Sequence, residues 1–448
     1  MNPSGNSPNY VTRVHTSPLE VNAQQWNALL AASDAPTPFM RHEYLAALHS
    51  SGSACEATGW LPQFVSLYSQ GTENEKDQLL ASAPMYIKDH SYGEYIFDHA
   101  WARAYQEHGL RYYPKAVVAV PYTPVPGTRF LCQSGLWPKE LLHEQLQFCE
   151  QNGISSLHAL FTSAADKAAC DAQPLMARQT VQFHWTNAAP AAPAAPISAP
   201  TGATEPKFEP KFEPKSEPKS EPYGSFDHYL STLAQDKRKK IRAERRKVAS
   251  AGITWRTMEG AAISPGDWAF FYRCYERTYL EHGNAPYLTP AFFEAMASTM
   301  PENWVMFIAE HSGQPIACSL IAVNSNATNT VANCAAFPWA ISLKHIQNAE
   351  KIAYGRYWGA LARVDSLHFE ACYYQPLEWC IQNGYHRFEG GAQGEHKMAR
   401  GLLPITAHSA HWLAHPQFAN AVARFLEREG AGMENYMEHL EGRSPFRV

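Results

Sequence analysis

Between Glu205 and Pro222 the chain repeats a four-residue unit, EPKF-EPKF-EPKS-EPKS-EP. Proline at every fourth position removes backbone donors too often for a helix. The Glu and Lys residues between the prolines keep the segment solvated, in polyproline-like extension. An Ala/Pro-rich run from Ala188 to Pro200 precedes it. No core can form across 186–222, so folded structure must be built on either side. The 448 residues also exceed one typical core, which makes two folded portions the expectation. The expected organisation is a disordered tail at 1–10, an N-terminal domain at 11–185, a disordered linker at 186–222, a basic helix at 223–252 and a C-terminal domain at 253–448.

Apolar spacing predicts helices over Gln24–Ala32, Arg41–His49, Lys139–Asn152, Pro265–His282, Thr289–Met300 and Pro416–Glu429. Strands are predicted over Gln63–Tyr68, Leu79–Ile87, Ala116–Val120, Ser155–Phe161, Val305–Glu310, Pro315–Val323, Lys351–Leu361, Tyr385–Glu389 and Ile405–Leu413. Leu367 to Ile381 follows helical spacing, with Pro376 either kinking that helix or starting a shorter one. Asn324 to about Asn348 is expected as a polar insertion. One unit recurs without gaps: Cys149-Glu-Gln151-Asn152-Gly153 then Leu157-His158, and Cys380-Ile-Gln382-Asn383-Gly384 then Phe388-Glu389. The match predicts a duplicated helix-then-strand unit in which His158 and Glu389 hold equivalent positions.

Nine cysteines, odd in number and without a CxxC pair, suit reduced thiols in the cytoplasm. The N-terminus lacks a basic-then-apolar leader, and no run approaches 18 apolar residues, so no membrane span is expected. With a net charge of −5, an anionic partner would need a local basic patch. Phe226–Ser250 supplies one, with eight Lys/Arg between Lys237 and Lys247. Arg238, Arg242 and Arg245 fall at i, i+4 and i+7 and so share a helix face. Two readings stand open: a solvated face, or an anion-binding face for phosphates or RNA.

Titratable residues concentrate from His368 to Trp412. That stretch holds His368, Glu370, Tyr373, Tyr374, Glu389, Gln393, Glu395, His396, Lys397, Arg400, His408 and His411 around a glycine-rich loop, Gly390–Gly394. Earlier, His90, Glu94 and Asp98 interleave with Tyr92, Tyr95, Phe97 and Trp101, either as a substrate wall or as core rings with acids facing water. Metal chemistry finds no HExxH, HxH or Cys cluster, so no metal is expected. Cys372 and Cys380 lack a basic companion and suit core positions.

Acyl transfer to an amine fits better. It needs a base for the ammonium proton, donors for the oxyanion and an acid for the leaving group. Glu370, Glu389 or Glu395 could be the base, Tyr373 or Tyr374 the acid, and the Gly390–Gly394 amides the oxyanion donors. Gln393, Glu395, His396, Lys397, Arg400, His368, His90, Glu94 and Asp98 are the candidate substrate contacts. Glu395, beside Lys397, should stay ionised and bind, whereas Glu389, flanked by Phe388 and glycines, should carry the raised pKa that a base wants.

The motifs HSYGEYIFDHAWARAY, YYPKAVVAVPYTPV, RKKIRAERRKV, GRYWG, LHFEACYYQPLEW and GAQGEHKMARGLLP resemble those of the FemAB-like N-acyltransferases of the GNAT superfamily, often labelled peptidoglycan biosynthesis or recognition proteins. The resemblance covers nearly the whole chain outside the tail, the linker and 324–348. It implies an α/β (α+β) fold of two tandem GNAT-like domains, each a mixed, mostly antiparallel sheet flanked by helices, with the site in the cleft between them. It also implies transfer of an acyl or aminoacyl group from acyl-CoA or aminoacyl-tRNA to a small-molecule or peptide amine, with tRNA as a partner and DNA not. The CoA landmark of such enzymes, Q/R-x-x-G-x-G/A, is matched only by Arg356-x-x-Gly359-x-Leu361. The competing expectation is a non-catalytic module that recognises a peptidoglycan-precursor-like, peptide or RNA ligand.

Overall fold

A computed structural model describes residues 10–69, 77–133, 137–189, 221–324, 350–392 and 394–447. The proline-rich repeat up to residue 220, most of the expected 324–348 insertion, nearly all of the 1–10 tail, and Gln393 lie outside the described residues. In chain order the N-terminal half comprises β1 (Tyr10–His15), α1 (Ala23–Ala31), α2 (His42–Ser50), β2 (Leu61–Pro62), β3 (Phe64–Ser69), β4 (Leu79–Ser82) and β5 (Met85–Lys88). It continues through α3 (His99–Glu107), β6 (Lys115–Val118), β7 (Leu131–Cys132), α4 (Trp137–Gln151), β8 (Ser156–Thr162), α5 (Ala164–Asp171) and β9 (Met176–Thr186). The C-terminal half has α6 (Phe226–Thr232), α7 (Gln235–Ser250), β10 (Ile253–Glu259), α8 (Pro265–Glu281), α9 (Pro290–Thr299), β11 (Trp304–His311), β12 (Gln314–Val323) and β13 (Ile352–Ala360). A composite helix α10 follows, with segments Leu367–Phe369, Glu370–Tyr374 and Gln375–Gln382, and then β14 (Arg387–Ala392), β15 (Leu403–Leu413) and α11 (Pro416–Glu441).

Local chemistry accounts for several boundaries. Thr289 caps α9 by accepting from the Phe292 N–H, with Pro290 in the first turn, and Gly153 ends α4 in the left-handed region at φ 65°. The middle segment of α10 is π-helical. Pro376 has no N–H to donate into the preceding turn, and the widened turn accommodates the lost bond. The kink expected at Pro376 is therefore a π-turn inside one helix. The basic helix expected at 223–252 is two helices, broken where Leu233 turns extended at ψ 154°.

The fold is mixed α+β, but its sheets do not divide as one per half. A four-stranded sheet has the order β1-β3-β4-β7, and a second, 11-stranded sheet runs β10-β11-β12-β13-β14-β9-β15-β8-β6-β5-β2 through both halves. Strand β9, which precedes the linker, lies between β14 and β15, which follow it, and β15 pairs with β8. Each half has thus given its last strand to the other. Two parallel pairs, β6 with β8 and β13 with β14, flank this exchange symmetrically. The duplication is visible in the register: His158 on β8 faces His411 on β15, as Glu389 on β14 faces His184 on β9.

Apolar clusters also span both halves, the largest of them on one side of the exchange. That cluster includes Trp26, Phe39, Tyr44 and Leu48 from the first half with Phe271, Phe292, Phe293 and Trp304 from the second. Around it, Arg41 bonds Glu302 at 2.6 Å and Asn303 at 2.8 Å. The two ends of the linker meet: the Ala189 N–H donates to the Glu221 carbonyl at 2.8 Å, and the Tyr223 N–H to Asn187 Oδ1 at 2.9 Å. Deleting residues 190–217 is therefore expected to leave the melting temperature within about two degrees of wild type, because the ends already lie side by side. Loss of cooperative unfolding in that deletion, followed by calorimetry, would contradict the expectation.

Candidate active site

Strands β13 and β14 pair only from Ile352↔Arg387 to Tyr354↔Glu389, after which they part. On the other edge of β13, Leu320 faces Tyr357 and Ile321 faces Gly355, so Arg356 is an extra, unpaired residue in that ladder. Such a bulge re-aims a side chain. Gly355 lies against Phe388, since a Cβ there would stand 3.0 Å from the Phe388 ring. Tyr354 and Glu389, as register partners in parallel strands, share the opposite face, which looks toward the first half of the chain. Glu389 thus stands at the fork of two diverging strands.

Its carboxyl is 5% exposed. Oε1 accepts from Arg387 Nε at 3.1 Å, while Oε2 has no hydrogen-bond partner among the described residues. The imidazole of His184 lies nearby, with Nε2 3.8 Å from Oε2. Burial pushes Glu389 up to about 7 against the opposing pull of Arg387. Burial, reinforced by Arg387 and Lys397, takes His184 down to about 3, so the imidazole facing Glu389 is neutral near pH 7. Gln182, from the same exchanged strand, donates to the Pro124 carbonyl at 2.8 Å. Arg356 Nη2 donates to the Tyr122 carbonyl at 3.0 Å and to Thr123 Oγ1 at 3.3 Å. The 121–125 segment of the first half therefore walls the fork in the second.

The equivalent fork in the first half is closed. Gly127 bridges to Thr162 beyond the end of β6, and Arg129, 1% exposed, spans the gap. Its Nε donates to the Leu160 carbonyl at 3.0 Å and its Nη2 to the Val125 carbonyl at 2.5 Å.

The remaining sequence candidates separate into groups. Lys397 sits beside the glycine loop, where Nζ donates to the carbonyls of Gly390, Gly391 and Ala392 at 2.6, 3.2 and 2.9 Å. Burial lowers it to about 8. The loop's carbonyl side is thus occupied by protein, and Gly390 is demanded by packing, with a Cβ falling 2.4 Å from Leu402 Cδ2 and 2.9 Å from the Phe183 carbonyl. His396 lies 3.2 Å from the Tyr373 hydroxyl, and His368 Nδ1 lies 3.5 Å from Cys372 Sγ. Glu395 is not held by Lys397. It is exposed and accepts from Arg443 Nη1 at 2.6 Å and the Tyr436 hydroxyl at 3.2 Å, and the Arg443 bond lowers its pKa.

Glu370, Tyr374 and Arg400 belong to a clamp on α7. Arg245 donates to Glu370 Oε1 at 3.1 Å and Glu378 Oε2 at 2.7 Å. Arg400 Nη2 donates to both oxygens of Glu244 at 3.0 and 2.9 Å, and the Tyr374 hydroxyl donates to the same carboxylate. The guanidinium of Arg400 lies 3.6 Å over the Phe369 ring. The three arginines expected on one anion-binding face are consequently split: Arg245 is consumed by two acids, Arg238 turns to the Ser231 and Leu233 carbonyls, and only Arg242, beside Asp227, is exposed. The exposed cations of α7 are instead Lys239, Lys240, Arg242, Arg246 and Lys247.

Glu94 and Asp98 do not line a wall. Both are buried and bind the fully buried Lys115 Nζ, which bonds Glu94 Oε2 at 2.7 Å, Ser91 Oγ at 2.7 Å and Asp98 Oδ2. The Tyr112 hydroxyl donates to Asp98 at 2.6 Å and lies 3.1 Å from His158, whose other nitrogen is 2.7 Å from His411. His90 packs against Gly59 and Tyr92. Among the described residues no cluster of His, Cys, Asp or Glu could hold a metal ion.

Sequence reasoning did not single out His184, Gln182, Tyr122 or Thr123, and it treated Arg356 only as a landmark residue. His184 and Gln182 arrive by the exchange of β9, and Tyr122 and Thr123 by their bonds to Arg356, long-range pairings that no local periodicity carries.

The profile of the FemAB-like family, described as peptidoglycan biosynthesis/recognition, matches residues 17–194, 201–329 and 330–448. No curated protein matches the chain. Similar solved structures include L-PGS from Bacillus licheniformis, with 9% identity, 90% of this chain and 97% of that one covered, and a TM-score of 0.44. A tandem GNAT protein from the clavulanic acid biosynthesis pathway has 10% identity, 91% and 99% coverage and a TM-score of 0.41. A GCN5-related N-acetyltransferase from Anabaena variabilis has 9% identity, 90% and 73% coverage and a TM-score of 0.34.

The clamp makes a stability prediction. Removing one partner of a buried ion pair strands the other, so Glu244→Ala should cost about 3–5 kcal/mol in urea unfolding. Arg242→Ala, which breaks an exposed pair, should cost well under ~1 kcal/mol. Equal losses in the two variants would show that α7 is not held by the Glu244 cluster.

Proposed function

The chain belongs to the FemAB-like family, and we propose that it is an N-acyltransferase that moves an activated acyl or aminoacyl group onto an amine acceptor at the β13–β14 fork. The observation that carries this reading is the Glu389 carboxyl: buried, half unpartnered, and poised near neutrality by desolvation. A general base works best when its pKa lies near the working pH. Ionised Glu389 takes a proton from the acceptor ammonium. The freed nitrogen then attacks the acyl carbonyl, forming the C–N bond and an oxyanion. Collapse breaks the bond from that carbon to the carrier, and the leaving atom takes the proton still held by nitrogen.

Past Tyr354, β13 continues without β14 as its ladder partner, so its backbone amides supply donors toward the gap. That supports placing the oxyanion against β13 rather than against the glycine loop, whose carbonyl side Lys397 occupies. Metal assistance is not part of this scheme.

The carrier is read from the same surfaces. Arg356-x-x-Gly359-x-Leu361 runs along β13 and into the residue after it, not on a loop opening a helix. A Cβ at Gly359 would fall 2.0 Å from the Cys274 carbonyl, so this glycine serves packing against α8. That stretch does not form a pyrophosphate cradle, and no step is assigned to CoA. The exposed cations of α7 offer a polyanionic carrier such as aminoacyl-tRNA a place to lie. No helix among the described residues is long and apolar enough to cross a membrane.

Glu389→Gln should cut turnover by about 10²–10⁴ with little change in acceptor affinity. Wild-type turnover should rise with pH through about 7, where Glu389 ionises. Stability should move the other way. The unfolded carboxyl titrates near 4.5 and the folded one near 7, so ionisation of Glu389 subtracts stability as pH climbs between them. Glu389→Gln should therefore stabilise the protein at about pH 8 and leave it unchanged at about pH 4. Wild-type turnover in the variant across this range would overturn the assignment of the base.

A further inference from the structure

Arg356 is an uncompensated cation. Among the described residues it forms no ion pair. Its hydrogen bonds go to the Tyr122 carbonyl, Thr123 Oγ1 and, at 3.3 Å, the Tyr357 hydroxyl, all through Nη2. Its Nε is buried and has no partner. The residue as a whole is half-buried, and a guanidinium N–H kept from water without a partner is costly, a cost that a ligand at that atom would relieve. The surroundings suit an anion. The phenols of Tyr95, which is exposed, and Tyr279, which is half-buried, lie close enough to feel the Arg356 charge, and both are protonated and able to donate. Phe39 and Tyr357 present their rings to the guanidinium, each 5.0 Å from its centre.

We propose that Arg356 is the carboxylate-binding residue of the acceptor site, so that the acceptor is an amine that also carries a free carboxylate, such as an amino acid or short peptide. The inference rests on Glu389 as the base at the same fork. Arg356 follows Tyr354, the register partner of Glu389, by two residues across the bulge, so the carboxylate slot and the base belong to one fork. The flat guanidinium edge at Nε matches a carboxylate, which can lie coplanar with it.

The test is calorimetric titration of the full chain with alanylalanine and glycylglycine, with their C-terminal amides, and with inorganic phosphate. Wild type should bind the free acids at least tenfold more tightly than the amides. Arg356→Met should bring that ratio to about one, and Arg356→Lys, which keeps the charge but loses the planar fork, should lower it severalfold. Glu389→Gln should keep the wild-type ratio, because it alters proton transfer and not the carboxylate slot. An acid-to-amide ratio near one in wild type, a ratio untouched in both Arg356 variants, or Arg356-dependent binding of phosphate tighter than that of the acids would each overturn the proposal. Failure of the base reading would show separately, as undiminished turnover in Glu389→Gln with the binding ratio intact.

Discussion

The structure depends on one hydrogen-bonded ribbon, the antiparallel pairing of β9 with β15 from Leu403↔His184 to His411↔Met176. Each strand was made by one half of the chain and is used by the other. Backbone donors and acceptors in a buried sheet must be paired, so neither half can withdraw its strand without exposing two ladders at once. The ribbon brings His184 to Glu389 and His411 to His158, and the chain on the two sides of the linker lies together at Ala189 and Glu221. The repeat is free to be long because nothing it connects is far apart.

The two copies of the duplicated unit have diverged at equivalent places. In the second half the parallel strands open, a bulge carries Arg356, and the strand position occupied by Glu389 holds a poorly paired carboxyl. In the first half Arg129 and the Gly127–Thr162 bridge hold the strands closed. The equivalent position there is His158, tied by hydrogen bonds to Tyr112 and Ser156 within a buried network anchored by Lys115. Burial pushes the His158 imidazole down to about 3, which keeps it neutral. The first copy gathers its buried acids around Lys115, and the second leaves Glu389 Oε2 without a partner at the open fork. Unpaired buried groups are expensive, and at this fork an acid, Glu389, and a cation, Arg356, each keep one such atom beside strands that have parted, which is the physical reason for placing chemistry there.

Much of this was legible in the chain. Period and capping placed about half of the helices and strands to within a residue or two, as at Pro265–Glu281 and Trp304–His311, but missed β1, β9, β10, α3 and α5. The Cys-x-Gln-Asn-Gly repeat marked β8 and β14 as equivalents, and Phe388 with the glycines marked Glu389 as a carboxyl poor in partners. Partner choice across the fold was not legible. Glu370 and Tyr374 are as polar in sequence as a catalytic pair, yet α7, more than a hundred residues earlier, binds both. Glu395 lies next to Lys397 in sequence, but Arg443 on the far side of α11 takes it. Sequence spacing fixes which face of an element a side chain occupies. It does not say which other element will cover that face.

The central claim is that strand exchange and burial hold Glu389 as a carboxyl ionising near neutrality. The most direct measurement is a ¹³C-carboxyl NMR titration of glutamate-labelled protein, with the Glu389 resonance assigned by its loss in Glu389→Gln. The account predicts a midpoint near 7 for this residue. A midpoint at the ordinary value of 4.5 would contradict it, because a carboxylate that stays ionised through neutral pH is too well stabilised to serve as the base.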